Sequence, residues 1–190
     1  MTKIYIASMN MRGEWAPLPA DTKRINVTSA QAKNSIYRIN FSPMTEIKDG
    51  YKGFYCFENY WQSGKRYQGL ENTKDIEEQI EWWKKQDKGR RRYPKGKDKK
   101  VKYAIFPDFE NPLYYIESRK LVYVPEYYKL IRKQPILKNL RNNFKKGQSY
   151  AIYDFDGPRL DDGKPTIKEV TLDFLKIRLM IRNILLDMDI

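Results

Sequence analysis

Apolar and polar positions change rhythm several times along this chain, and each rhythm predicts a different element. Lys3 to Met9 alternates weakly and, with Arg24 to Thr28, predicts short strands ahead of a polar loop. Tyr37 to Met44, YRINFSPM, follows no clean period and ends at proline, which predicts an irregular segment whose Asn and Arg face something other than a regular core. Phe57 to about Tyr67 is a helix candidate. Thr73 to Lys85 is a better one, with Thr73 as the cap and Glu77 and Glu78 early in the helix. Val101 to Phe106 and Leu121 to Val124 read as extended. Pro135 opens a helix running to Lys146 and stopped by Gly147, the pairing of proline at the start and glycine beyond the end. Ser149 to Asp154, SYAIYD, reads as a strand that breaks at Asp156-Gly157-Pro158. From Val170 to Met188, Leu172, Leu175, Leu179, Ile181, Ile184 and Leu185 recur at helical spacing, the strongest helical pattern in the chain. There is no internal repeat. The sum is an α+β fold, a single helix-rich compact domain over 1–190 with a few short strands, without the strand-helix alternation of a doubly wound sheet.

Composition supports a folded chain: 190 residues suit one domain, and 41% apolar and 14% aromatic content with ten glycines and ten prolines argue against wholesale disorder. The opening MTKIYIASMNMRG lacks the apolar run of a signal peptide, and no stretch approaches the roughly 20 apolar residues of a membrane span. The expectation is an intracellular, cytoplasmic protein with no membrane partner. The complete absence of histidine removes Ser-His-Asp and Cys-His catalysis and every imidazole metal site. One cysteine, Cys56, removes an internal disulfide and any multi-cysteine zinc site. Catalysis is left to carboxylates, Lys, Tyr, Arg and hydroxyls. A Mg²⁺ site built from Asp and Glu oxygens stays open to this chain, but no EF-hand loop or Walker lysine loop is present, so no metal or cofactor is assigned.

Charge is concentrated. Lys84 to Lys102, KKQDKGRRRYPKGKDKKVK, holds eleven basic and two acidic residues, a net +9 within a chain total of +13. Its glycines, its proline and its lack of apolar period predict an exposed basic loop over about 86–100. Arg90, Arg91 and Arg92 offer forked donors to phosphate, and Tyr93 a ring to stack, so DNA, RNA or a nucleotide diphosphate is a candidate partner; a solvated linker is the plainer reading.

The stretch FENYWQSGKRYQG, Phe57 to Gly69, carries the candidate chemistry. On one continuous helix Glu58, Gln62 and Lys65 fall at i, i+4 and i+7 and form a polar stripe beside Tyr60, Trp61 and Gly64. Aromatic walls with a few convergent polar groups describe a pocket, whereas Glu and Lys on an exposed helix are commonplace.

YRINFSPM followed by KGFYCFENYWQSGK resembles the NADAR family, whose members carry L-S-N-F-Y-P, a glycine-containing loop and E-H-Y-Y-Q-x-x-K. Asn40 and Phe41 fall on the N-F pair, Pro43 lies near the proline, and Glu58, Tyr60, Gln62 and Lys65 fall on E, Y, Q and K. Asn59 stands where the family often has histidine. Gly89-Arg90 resembles the family's G-R, Ile152 to Asp156 its late acidic strand, and Phe174 to Arg182 its closing helix. The resemblance implies an N-glycosidase acting on an ADP-ribosylated or ribose-phosphate compound, including ADP-ribose on a nucleic-acid base. In that reading Glu58 is the acid/base and Lys65 a Schiff-base nucleophile, while Asp154 or Asp156 stabilises the oxocarbenium-like charge or aligns water. Gln62 and Asn40 hold ribose hydroxyls, Phe41 and Trp61 line the substrate site, and Arg38 and Arg90 to Arg92 bind phosphate. The alternative is a non-catalytic basic nucleic-acid-binding or structural protein on the same scaffold, and a nucleotide or ADP-ribose sensor is a third.

Overall fold

In a computed structural model of the chain, residues 2–28, 30–154 and 157–170 are described. They form an α+β fold that divides into two compact units, one gathering the chain up to Ser42 and from Tyr128 onward, the other the intervening Pro43–Tyr127.

The first unit is built on a four-stranded mixed sheet of order β2-β5-β1-β6. Strands β1 (Ile4–Ser8) and β5 (Tyr150–Asp154) pair in parallel and are buried at every position. A strand covered on both faces needs no polar side, which is why IYIAS and YAIYD alternate so weakly. Strand β2 (Lys23–Asn26) runs parallel to β5, and β6 (Ile167–Val170) runs antiparallel to β1. These two edges keep Lys23, Arg24, Lys168 and Glu169 in solvent, which discourages pairing with another chain. Tyr5, Ala7, Ala151 and Tyr153 form one face with Met9 and Met11. By the strand register Ile4, Ile6, Ile25 and Ile152 fall on the other, each nearly free of water and each stabilising the fold by about 2 kcal/mol.

Helix α1 (Ile36–Phe41) replaces the expected irregular segment. Ser35 caps it by accepting from the Arg38 amide, and Ser42-Pro43 ends it. Its apolar residues Ile36 and Ile39 are exposed, so no buried stripe marks the helix in the sequence. A later helix, Pro135–Lys145, matches expectation: proline opens it, Leu137 and Leu140 are buried, and Gly147 follows at φ +105°. Val170 closes β6 instead of opening a helix, and the remainder of the predicted terminal helix lies outside the described residues.

The second unit begins with α2 (Phe57–Ser63), which turns directly into β3 (Lys65–Tyr67). The predicted helix to Tyr67 therefore stops four residues early. Helix α3 (Thr73–Lys84) is capped by Asn72, one residue before the expected cap, with Asn72 Oδ1 accepting from the Asp75 amide at 2.9 Å. Strand β4 (Val101–Ala104) pairs antiparallel with β3, with an irregularity between Arg66 and Tyr67. Leu121–Val124 is not extended: α4 (Tyr115–Ser118), a π-helical turn (Arg119–Tyr123) and α5 (Val124–Ile131) follow one another without a break. Helix α5 runs out of this unit at Tyr127, and Pro135–Lys145 is numbered α6. The core is aromatic, with Trp61 stacked on Phe106 at 5.6 Å and Phe57 packed on Tyr123 at 5.1 Å. Among the described residues no helix is long and apolar enough to cross a membrane.

Candidate functional site

Every residue of α2 is buried, including Glu58, Asn59 and Gln62. The helix ends at Gly64, where Phe106 packs too close for a side chain: an added Cβ would fall 2.4 Å from that ring. With the helix stopped, Lys65 enters β3 and the i, i+4, i+7 stripe is cut to two members. Those two touch. Gln62 Nε2 donates to Glu58 Oε1 at 2.7 Å, with both side chains only 7% exposed. Trp61, at i+3 from Glu58, shares their side of the helix. The half-buried Lys65 ammonium sits 5.6 Å from the centre of the Trp61 ring, so a cation–π contact returns Lys65 to this neighbourhood by another route. Cys56, the residue before the helix, is fully buried, and burial pushes its thiol up to about 11, which removes it as a nucleophile at neutral pH.

Asn59 has a different task. Its amide donates to the Lys88 carbonyl at 2.9 Å and its carbonyl accepts from the Arg90 amide at 2.9 Å, so one buried side chain grips the backbone on both sides of Gly89. Gly89 itself lies against Met44, where an added Cβ would come within 2.7 Å of the Met44 carbonyl. Farther along, Tyr93 is buried against Trp82 and Gly96 packs flat on the Tyr67 ring. The basic segment is exposed at most positions yet fixed at three points. Tyr93, expected to stack on a ligand, is a core residue. Arg90, Arg91 and Arg92 are exposed; Arg90 bonds Gln86 and Arg92 bonds the Lys99 carbonyl.

A second polar cluster in this unit was not legible from motif spacing. Lys52 contacts Asp108 at 2.8 Å, Glu126 at 3.7 Å and the Tyr60 hydroxyl at 3.3 Å, while the Tyr51 hydroxyl donates to Glu126. The loop holding Lys52 is left-handed at Asp49 (φ 67°), Gly50 (77°), Lys52 (50°) and Gly53 (84°), a run that stores strain at the two non-glycine positions. Burial raises the Tyr60 hydroxyl, and burial reinforced by Glu126 raises Tyr51. Burial pulls Lys52 down, but its hydrogen bonds to Asp108 and Tyr60 outweigh that and leave the ammonium above its ordinary value. The only sequence trace is the pair of turn dipeptides Asp49-Gly50 and Lys52-Gly53.

The other predicted residues belong to the first unit. Arg38 donates to the Gln31 carbonyl at 2.5 Å and Asn40 to the Ile36 carbonyl at 2.7 Å, both local to α1. Phe41 is buried, stacked on Tyr37 at 6.5 Å. Asp154 is buried at the end of β5, in register with Ser8. Asp156 lies outside the described residues. A cleft of about 510 Å³ in this unit, lined by Asp21, Asn143, Lys146, Gly147 and Gln148, includes none of the predicted site residues. Among the described residues no three His, Cys, Asp or Glu side chains gather where they could hold a metal. Comparisons with protein-family models, with curated proteins and with solved structures find no match for this chain.

Proposed function

We propose that the protein is an N-glycosidase of NADAR-like type, hydrolysing an N-ribosidic bond in an ADP-ribosylated or ribose-phosphate compound. The observation that carries this reading is the buried Glu58 carboxylate oriented by Gln62. Glutamate is seldom kept out of water unless partnered, and holding one there is costly, so a fixed, desolvated carboxyl is suited to proton transfer. The E-x-Y-x-Q-x-x-K spacing and the Trp61–Lys65 contact support the same assignment.

Cleavage breaks the bond between the anomeric carbon and nitrogen. Glu58 gives its proton to the leaving nitrogen, water adds to the anomeric carbon, and the water's proton returns to Glu58. In the covalent variant a neutral Lys65 amine attacks the anomeric carbon as its bond to the leaving nitrogen breaks and Glu58 protonates that nitrogen; the lysine adduct returns a proton to Glu58 and opens to an imine, and water adding to the imine releases the sugar and restores the amine.

The test uses guanine-linked ADP-ribose DNA, free ADP-ribosylated compounds and ribosylamino-pyrimidines, following release of base or sugar. Glu58→Gln preserves shape and removes the transferable proton; turnover is expected to fall by roughly a hundredfold or more at unchanged circular dichroism. Unchanged turnover would remove Glu58 from the mechanism. Borohydride reduction during turnover leaves a sugar adduct on Lys65 if attack is covalent, and none if water attacks directly. The second reading, nucleic-acid binding without chemistry, draws on the fixed cationic segment and predicts tight binding with no product.

A further inference from the structure

We infer that the second unit carries a docking surface for single-stranded nucleic acid, with the pinned basic segment holding the phosphodiester backbone and the exposed rings of Tyr114 and Tyr115 stacking bases. This deepens the second reading and holds whether or not Glu58 is catalytic.

The first observation is uncompensated charge. Of the eleven cations in Lys84–Lys102, three have carboxylate partners: Lys84 with Glu81 (3.4 Å), Lys95 with Glu78 (2.5 Å) and Lys102 with Glu71 (2.7 Å). Among the described residues Lys85, Lys88, Arg90, Arg91, Arg92, Lys97, Lys99 and Lys100 have none. Counter-ions condensed along a phosphate backbone are released when such a row binds it, and this drives association.

The second observation is that the row is held in place. Asn59, Tyr93 and Gly96 anchor it to α2, Trp82 and β3, so little conformational entropy remains to be lost when a ligand binds. A solvated linker has no need of such anchors.

The third concerns the rings. Tyr114 and Tyr115 are 65% and 64% exposed, unlike the other tyrosines of this unit's aromatic core. Strand β4 takes in the end of the basic segment, and Ala104 exchanges two 2.8 Å backbone hydrogen bonds with Leu113, the residue before Tyr114. Lys102 thus lies about 7 Å along the strand from that pairing, with its ammonium held by Glu71 at 2.7 Å. The Arg119 guanidinium lies 4.5 Å from the centre of the Tyr115 ring, extending the stacking platform with a cation. Cationic tracking surfaces beside aromatic platforms suit unpaired bases, whose faces a duplex hides.

The test is fluorescence anisotropy of end-labelled 14-mers as single-stranded DNA, single-stranded RNA and duplex, with the full chain, over 50 to 300 mM salt. Single strands are expected to bind at least roughly tenfold tighter than duplex. Tyr114→Ala and Tyr115→Ala are each expected to weaken binding about fivefold or more, and Tyr→Trp at either position to restore it. Replacing Arg90, Arg91 and Arg92 together by Gln should flatten the salt slope by about two, at roughly 0.7 per lost single-strand phosphate contact. Glu58→Gln should bind like the wild type, which separates this inference from the hydrolytic one. A preference for RNA or for DNA identifies the natural strand, and either supports the surface. Equal or tighter duplex binding, no loss on removing both rings, or stronger attachment to phosphatidylserine vesicles would overturn it.

Discussion

Replacing Asn59 with alanine removes one buried side chain and two backbone hydrogen bonds, and its cost can be worked from the structure. The Lys88 carbonyl loses its donor and the Arg90 amide loses its acceptor, both at 2.9 Å. A neutral hydrogen bond contributes about 1 kcal/mol net, and a polar group left buried and unpaired costs about 1–3 kcal/mol. The two losses overlap, because water will reach part of the freed loop, so about 2–4 kcal/mol is expected. Hydrogen exchange is the suitable assay because it reads the loop directly, even where the two units unfold separately. The Arg90 amide should exchange roughly 30-fold to several-hundred-fold faster, by the same 2–4 kcal/mol. The amides of β1 and β5, which belong to the other unit, should change little. Denaturant unfolding of the second unit should move to lower urea by about 1–2 M for a slope near 2 kcal/mol/M. Unchanged exchange at 88–92 together with a midpoint shift under about 0.2 M would refute the view that Asn59 fixes the basic segment.

Two further predictions concern packing and pH. Gly64→Ala forces a Cβ to within 2.4 Å of Phe106 and should destabilise the second unit by about 1–3 kcal/mol, visible as a lower thermal midpoint, whereas Gly163→Ala, with nothing within 4 Å, carries only the strain of its left-handed backbone. Burial raises the hydroxyls of Tyr60, Tyr67, Tyr150 and Tyr153, so above pH about 10 the unfolded chain releases protons that the folded chain keeps. The stability they contribute is therefore complete below pH 10 and declines above it, by about 1.4 kcal/mol per pH unit for each tyrosine that stays protonated. Tyrosinate absorbance near 295 nm should rise together with loss of near-ultraviolet dichroism; independent, gradual ionisation of all 15 tyrosines would contradict it.

Local pattern was enough for the elements whose rule is written in neighbouring residues. Pro135 and Gly147 bracket α6 because one fixes the first helical turn and the other accepts a left-handed backbone, neither of which needs a distant partner. The apolar runs of β1 and β5, the excess of cations over Lys84–Lys102 and the exclusion of histidine chemistry were equally readable from the sequence. Tertiary contacts decided the rest. Helix α2 stops at Gly64 and Lys65 pairs with Ala104 of β4 in a strand, although spacing alone placed Lys65 on the helix. Asn59 finds its partners 29 and 31 residues away, and Lys52 meets Asp108 56 residues on, separations over which no periodicity carries information. Tyr93 and Tyr114 look alike as aromatic residues in polar surroundings, yet one is buried and the other exposed, because burial is set by what the chain brings over a residue and not by the residue itself.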